Sequence, residues 1–257
     1  MNDGTPVELE FCFEIEEVPK KAFLVLEDPE IFEIFCNGIR VLTEPEGFFL
    51  DRAFVKIPLL DLKEGDNRLR LTCCYKNGTE LEDCYLLGDF GVDERRHLTK
   101  MPESLQLGDW TKQGLPHYCG SISYCYHFEY HDAVSEGRLF FRIGDFAGAC
   151  AAVTVNGRLH EVPWRSAGYF EVTDELAEGE NLIKVRIYGT PRNMLGPFSE
   201  YEKGAKPVGC GAFHPAAGKK PDETGSSRGK GGGRTGQYQL EPYGLITPCC
   251  LEALSLL

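Results

Sequence analysis

The chain has 257 residues, 42% of them hydrophobic and 26% charged, enough for one large domain or two ordinary ones with a buried core. Its formal net charge of −13 argues against nucleic acid as a partner, because non-specific binding there depends on neutralising phosphates. No apolar run approaches the roughly 20 residues of a membrane helix, and the start MNDGTPVELEFCFEIEEV lacks the basic-then-apolar order of a signal peptide, so the sequence predicts no membrane partner and a cytoplasmic protein.

From the N-terminus the chain reads as short strands. LEFCFEI, AFLVLE, IFEIFC and RLRLTCCY are apolar or alternating runs of six to eight residues, rich in aromatic and β-branched types and separated by Asp-Pro, Asn-Gly and Gly-Asp turns. After the charged stretch GVDERRHLTKMPESLQLGDW come SISYCYHFEY, RLFFRI, AAVTV, YFEV and LIKVRIYG, of the same kind. Long helical periodicity is missing, and the expected fold class is all-β.

The two halves repeat one phrase. Phe13 in CFEIEEVPKKAFLVL answers Phe128 in HFEYHDAVSEGRLFF; Asn37-Gly38 answers Asn156-Gly157; Gly65 and Asn67 answer Gly179 and Asn181. Asn-Gly supplies the positive φ values of a hairpin turn, and Gly-acid-Asn makes a turn that launches a strand. Two copies of this size predict two tandem β-sandwiches, over 5–98 and 105–257. A Gly/Lys-rich stretch at about 204–236, with ten glycines, reads as a long insertion before the closing strands. Eleven cysteines without paired spacing read as reduced thiols, many of them small core residues.

Chemistry-bearing residues fall mostly in the second half. Trp110, His117 and Tyr118 share one loop before a strand, and Trp164, Arg165 and Tyr169 share another after a hairpin. Aromatic rings beside polar side chains are what a sugar site needs, since the apolar face of a pyranose stacks on a ring while its hydroxyls seek hydrogen bonds. Packing at the end of the sandwich is the competing reading for each. Asp89 and Asp145, at Gly-flanked strand ends, are the acids to weigh as a carboxylate pair, though Asp beside Gly is ordinarily a turn residue. His127, Glu129 and His131 in HFEYH share a strand face and lack the helical spacing of a zinc protease, so no metal ligand is nominated. GSSRGKGGGRTG has the wrong spacing for a phosphate loop.

The second half, across most of Trp110–Tyr188, resembles the galactose-binding-like jelly roll of glycoside hydrolase family two and its relatives. Pro116, Tyr118, Gly120 and Tyr124 in GDWTKQGLPHYCGSISYCYHFEY match the opening of such domains, and VTVNG followed by GYFEVTDELAEGENLIKVRI matches their cadence. The first half fits more loosely, through Asn37-Gly38, Asp51 and Gly65-Asp66-Asn67, and the Gly/Lys-rich insertion departs from the pattern. The resemblance implies a non-catalytic, carbohydrate-binding accessory region, with carbohydrate and a glycoside hydrolase catalytic domain as partners. It implies no cofactor, although related sandwiches often carry a structural calcium ion. A docking module without glycan affinity and a small hydrolase with its own carboxylate pair are the alternatives.

Overall fold

The computed structural model describes residues 3–42, 44–79, 81, 83–131, 137–162, 168–195, 198–201 and 234–255. It is built almost wholly of β-strands, as the alternating runs predict. The chain divides into two compact units, the first formed by 1–106 with 112–115 and the second by 107–111 with 116–257. Among the described residues no helix is long and apolar enough to cross a membrane.

In the first unit the strands are β1 (Pro6–Ile15), β2 (Ala22–Leu26), β3 (Glu33–Cys36), β4 (Ile39–Arg40), β5 (Phe48–Phe49), β6 (Asp51–Pro58), β7 (Gly65–Cys74), β8 (Tyr85–Gly88), β9 (Phe90–Val92) and β10 (Leu98–Lys100). They form one sheet in the order β4-β3-β7-β1-β10-β9 and a second in the order β5-β6-β2-β8. Alternation drives the layering. In β1 the side chains of Leu9, Phe11, Phe13 and Ile15 turn inward while Glu8, Glu10, Cys12 and Glu14 stay exposed. Leu9, Phe11 and Phe13 meet Leu24 and Leu26 of β2, Ile34 and Cys36 of β3, Ile57 of β6, and Leu69 and Leu71 of β7 in one apolar cluster between the sheets. Burial of this kind is the main force holding a sandwich together. On the outer face Arg68 and Arg70 pair with Glu10 and Glu8 at 3.4 and 3.5 Å.

The second unit contains β11 (Ser121–Tyr130), β12 (Gly137–Arg142), β13 (Phe146–Ala147), β14 (Cys150–Val155), β15 (Arg158–Val162), β16 (Tyr169–Glu171), β17 (Gly179–Tyr188), β18 (Phe198–Tyr201), β19 (Arg234–Gln239), β20 (Gly244–Leu245) and β21 (Cys250–Ser255). A short helix, α1 (Arg192–Leu195), follows β17. The sheets are β11-β17-β14-β15, β16-β12-β21 and the two-stranded β13-β20 and β18-β19. Leu139 and Phe141 of β12, Val153 and Val155 of β14, and Ile183, Val185 and Ile187 of β17 are buried.

The repeated phrase has a structural cause. β1 pairs with β7 rung for rung from Ile15–Gly65 to Pro6–Cys74, and β11 pairs with β17 in the same way from Tyr130–Gly179 to Ser121–Tyr188. Phe13 lies opposite Asn67, and Phe128 opposite Asn181. Asn37 and Asn156 sit at φ 51° and 45°, each followed by a glycine at φ 84° or 94°, which is the hairpin turn that Asn-Gly favours. Each turn asparagine then reaches a buried one. The Asn156 side-chain amide donates to Oδ1 of Asn181 at 2.7 Å and to the Glu175 carbonyl at 2.8 Å. That of Asn37 donates to Oδ1 of Asn67 at 2.9 Å and to the Asp61 carbonyl at 2.7 Å. A clasp of two asparagines, made once per unit, is what the sequence says twice.

Candidate functional site

The six aromatic and polar residues nominated from the sequence separate into three groups. Trp110 is wholly buried, its ring between Tyr118 (centroids 6.0 Å apart, edge-on) and Tyr243 (5.6 Å). Its amide donates to the Tyr243 carbonyl at 2.8 Å, and Tyr243 closes the cluster through its hydroxyl, 2.5 Å from that of Thr190. Tyr118 is spent on the same cluster, its hydroxyl donating to the Ser121 carbonyl at 3.2 Å. The imidazole of His117 bonds the carbonyl of the buried Asn193 at 2.8 Å. Neither face of the Trp110 ring is open to a ligand, so this residue packs the loop instead of stacking on a sugar. Trp164 and Arg165 lie outside the described residues, as does most of the Gly/Lys-rich insertion.

Tyr169 is placed differently. It opens β16, is 41% exposed, and its ring lies parallel to that of Phe140 on β12, with centroids 5.1 Å apart and planes 5° apart. The position is fixed by Gly168, which has φ 53° and whose carbonyl accepts from the Ile143 amide at 2.9 Å. A Cβ at 168 would fall 2.0 Å from Cγ2 of Ile143, so glycine alone allows the approach. In the register of this sheet Arg142 pairs with Tyr169 and Phe140 with Glu171 on one side, and Phe140 with Glu252 on the other. Directly opposed residues share a face. One face therefore carries Arg138, Phe140 and Arg142 along β12, flanked by Tyr169, Glu171 and Glu252.

The polar groups on this face are organised around the stacked rings. Arg138 holds Glu171 in a two-pronged pair, Nε to Oε1 at 2.9 Å with Nη2 closing on Oε2, and its guanidinium lies 5.8 Å from the Phe140 centroid. The hydroxyl of Thr173 donates to Glu171 at 3.0 Å and accepts from the Leu139 amide at 2.9 Å. Arg142 donates through Nε to Glu252 at 3.1 Å. The hydrogen bond from Arg138 holds the Glu171 carboxyl below its ordinary range, helped by Thr173 and opposed by partial burial. Two stacked rings, the two-pronged Arg138–Glu171 pair and the Arg142–Glu252 pair thus lie together on one sheet face.

The remaining candidates make local contacts. Asp145 caps a turn: its amide donates to the Thr247 hydroxyl at 2.7 Å, and that hydroxyl lies 3.4 Å from the Asp145 carboxylate. Asp89, in the other unit, bonds through its amide to the Lys21 carbonyl at 3.1 Å. His131 contacts Glu178 at 3.0 Å and Glu129 at 3.6 Å on an exposed strand end. In the first unit a cleft lined by Leu9, Leu26, Phe32 and Leu71, with Glu27, Asp28 and Asp83 alongside, has room for about 20 Å³, which suits one water and no sugar ring.

Of the residues on this face the sequence nominates Tyr169 alone; Arg138, Phe140, Arg142, Glu171 and Glu252 are brought beside it by the fold. The signal was available in RLFFR, whose alternate residues read Arg-Phe-Arg, a charged and aromatic set that must share one face of a strand.

No protein-family profile matches the chain, and no curated protein sequence does. Among solved structures, a rhamnosidase from Novosphingobium sp. PP1Y is similar over 97% of this chain and 22% of its own, at 18% identity and a TM-score of 0.38. An alpha-L-rhamnosidase from Streptomyces avermitilis, solved with L-rhamnose, is similar over 72% of this chain and 22% of its own, at 14% identity and a TM-score of 0.30. An anti-sigma factor domain-containing protein follows at 14% identity and a TM-score of 0.23, over 72% of this chain and 76% of its own. Two of these three are glycoside hydrolases, and the chain spans about a fifth of their length. Similarities this weak do not bear on ligand or activity, which rest on the site itself.

Proposed function

We propose that this chain is a carbohydrate-binding, non-catalytic accessory region of a glycoside hydrolase, built from tandem jelly-roll sandwiches of the galactose-binding-like type, and that sugar seats on the Tyr169–Phe140 pair. The observation that carries the reading is a pair of parallel rings, with Tyr169 41% exposed, framed on one sheet face by two Arg–Glu pairs. A pyranose needs an aromatic face below its C–H groups and charged donors and acceptors beside its hydroxyls. Both are already fixed here, so binding would order few side chains. The sequence resemblance, which runs through Tyr169 and Glu171 of this face in GYFEV, supports the same reading.

The test is a glycan array probed with the whole chain, then calorimetry on any hit with Tyr169→Ala and Arg142→Ala. Loss of binding in both variants, with the fold retained, supports the site. Docking without glycan affinity is the second reading, favoured by the exposed Leu42 (77%) and Leu60 (88%) of the first unit. An array without hits favours it.

A further inference from the structure

The first unit holds a second set of chemically convergent residues, away from the stacked rings and independent of the carbohydrate reading. Asp93–His97 is the turn between β9 and β10. Oδ1 of Asp93 accepts from the amides of Arg95 at 2.9 Å and His97 at 2.7 Å, which fixes the loop and leaves Oδ2 directed at the imidazole, 3.6 Å from Nδ1. The other ring nitrogen, Nε2, faces Glu14 of β1 at 3.3 Å. Glu16, just past the end of β1, is held there by its amide, which donates to the Leu98 carbonyl at 2.8 Å. One donor atom each from Glu16, Asp93 and His97 falls within 4.8 Å of the other two.

These spacings suit an ion better than they suit direct bonding. Good N–H···O contacts fall at about 2.7–3.2 Å, shorter than either imidazole–carboxylate distance here. Around a cation with ligands at about 2.1 Å, neighbouring donors stand roughly 3–3.5 Å apart and opposite ones roughly 4.2 Å, so donors within 4.8 Å of one another need only a small side-chain rotation to close on an ion. The His97 side chain is 20% exposed and that of Asp93 28%, so the site is sheltered but open on the Glu16 side.

We propose that Glu16, Asp93 and His97 form a binding site for a divalent first-row transition metal ion. One imidazole and two carboxylates make a mixed nitrogen and oxygen set, which accommodates Mn²⁺ or Co²⁺. Binding ties the β9–β10 turn to the end of β1, where the parallel pairing consists of the single rung Ile15–Leu98.

Mn²⁺ is the probe, because it competes poorly for the eleven thiols. The whole chain, kept reduced, is titrated with Mn²⁺ and free ion is followed by electron paramagnetic resonance, while ring-proton NMR follows His97. The expected result is one saturable site per chain, selective broadening of the His97 ring signals, and at least about a tenfold weakening in His97→Gln and Glu16→Gln. Asp93→Asn keeps an acceptor for the two turn amides and should weaken binding equally with the fold intact; Glu16 is exposed, so its variant keeps the fold as well. Failure to saturate, or equal binding by wild type and Glu16→Gln or Asp93→Asn, would overturn the site.

Discussion

Replacing Asn181 by alanine tests the idea that the asparagine clasp holds each unit together. Asn181 is 4% exposed and its amide is fully used. Oδ1 accepts from Asn156 at 2.7 Å and from the Ala177 amide at 2.9 Å, while Nδ2 donates to the carbonyls of Ala177 and Gly179, both at 2.8 Å. Four net hydrogen bonds at about 1 kcal/mol each give a loss on the order of 4 kcal/mol, a large share of the 5–15 kcal/mol typical of a domain. That corresponds to a urea midpoint lower by about 2 M, taking a slope of roughly 2 kcal/mol/M. Both tryptophans belong to the second unit, so indole emission during urea unfolding reads the affected unit. Asn181→Asp is the discriminating control. It keeps the two accepting contacts but points an oxygen at two carbonyls, and should be no more stable than the alanine variant. A loss below about 1 kcal/mol for Asn181→Ala, or recovery in Asn181→Asp, would refute the reasoning.

The other predictions concern separate parts of the chain. Asn67→Ala, with the same pattern of contacts through Lys63, Gly65 and Asn37, should cost a similar amount, read by hydrogen exchange on β7 amides. Gly168→Ala forces a Cβ against Ile143 at positive φ and should cost about 2–4 kcal/mol while displacing Tyr169, seen as a lower melting temperature. Burial pushes the Cys84 thiol up to about 11, so at pH 8 it should be alkylated far more slowly than the exposed Cys12 and Cys125, by peptide mapping. Because the folded state holds the Cys84 proton more tightly, that contribution is whole below about pH 9 and is lost as pH rises through about 11; Cys84→Ala should flatten the alkaline fall in stability.

Local features were readable in the sequence because they depend on single residues. Asn37-Gly38 and Asn156-Gly157 announce positive φ, and the alternation in LEFCFEI and SISYCYHFEY announces which side chains turn inward. The pairing of Asn156 with Asn181 was not readable, since it spans 25 residues and depends on strand register. Exposure was the harder quantity. Trp110 and Tyr169 both lie near turns and both look like ring platforms, yet Tyr243, more than a hundred residues along the chain, covers one, while Gly168 leaves the other in the open. The face of β12 is written in a strand and not in a loop, through Arg138, Phe140 and Arg142 spaced two apart, and only the register with β16 and β21 brings Tyr169, Glu171 and Glu252 beside it. Glu16 and His97 are distant in sequence and meet only through the β1–β10 rung, so no spacing motif marks them.

The most direct measurement is the affinity of the whole chain for a panel of glycans, with Tyr169→Ala as its partner. The account predicts a sugar whose affinity falls by at least about tenfold when the ring is removed, equivalent to about 1.4 kcal/mol, while the unfolding transition stays in place. A sugar bound equally well by wild type and Tyr169→Ala, or no sugar bound at all, would contradict it.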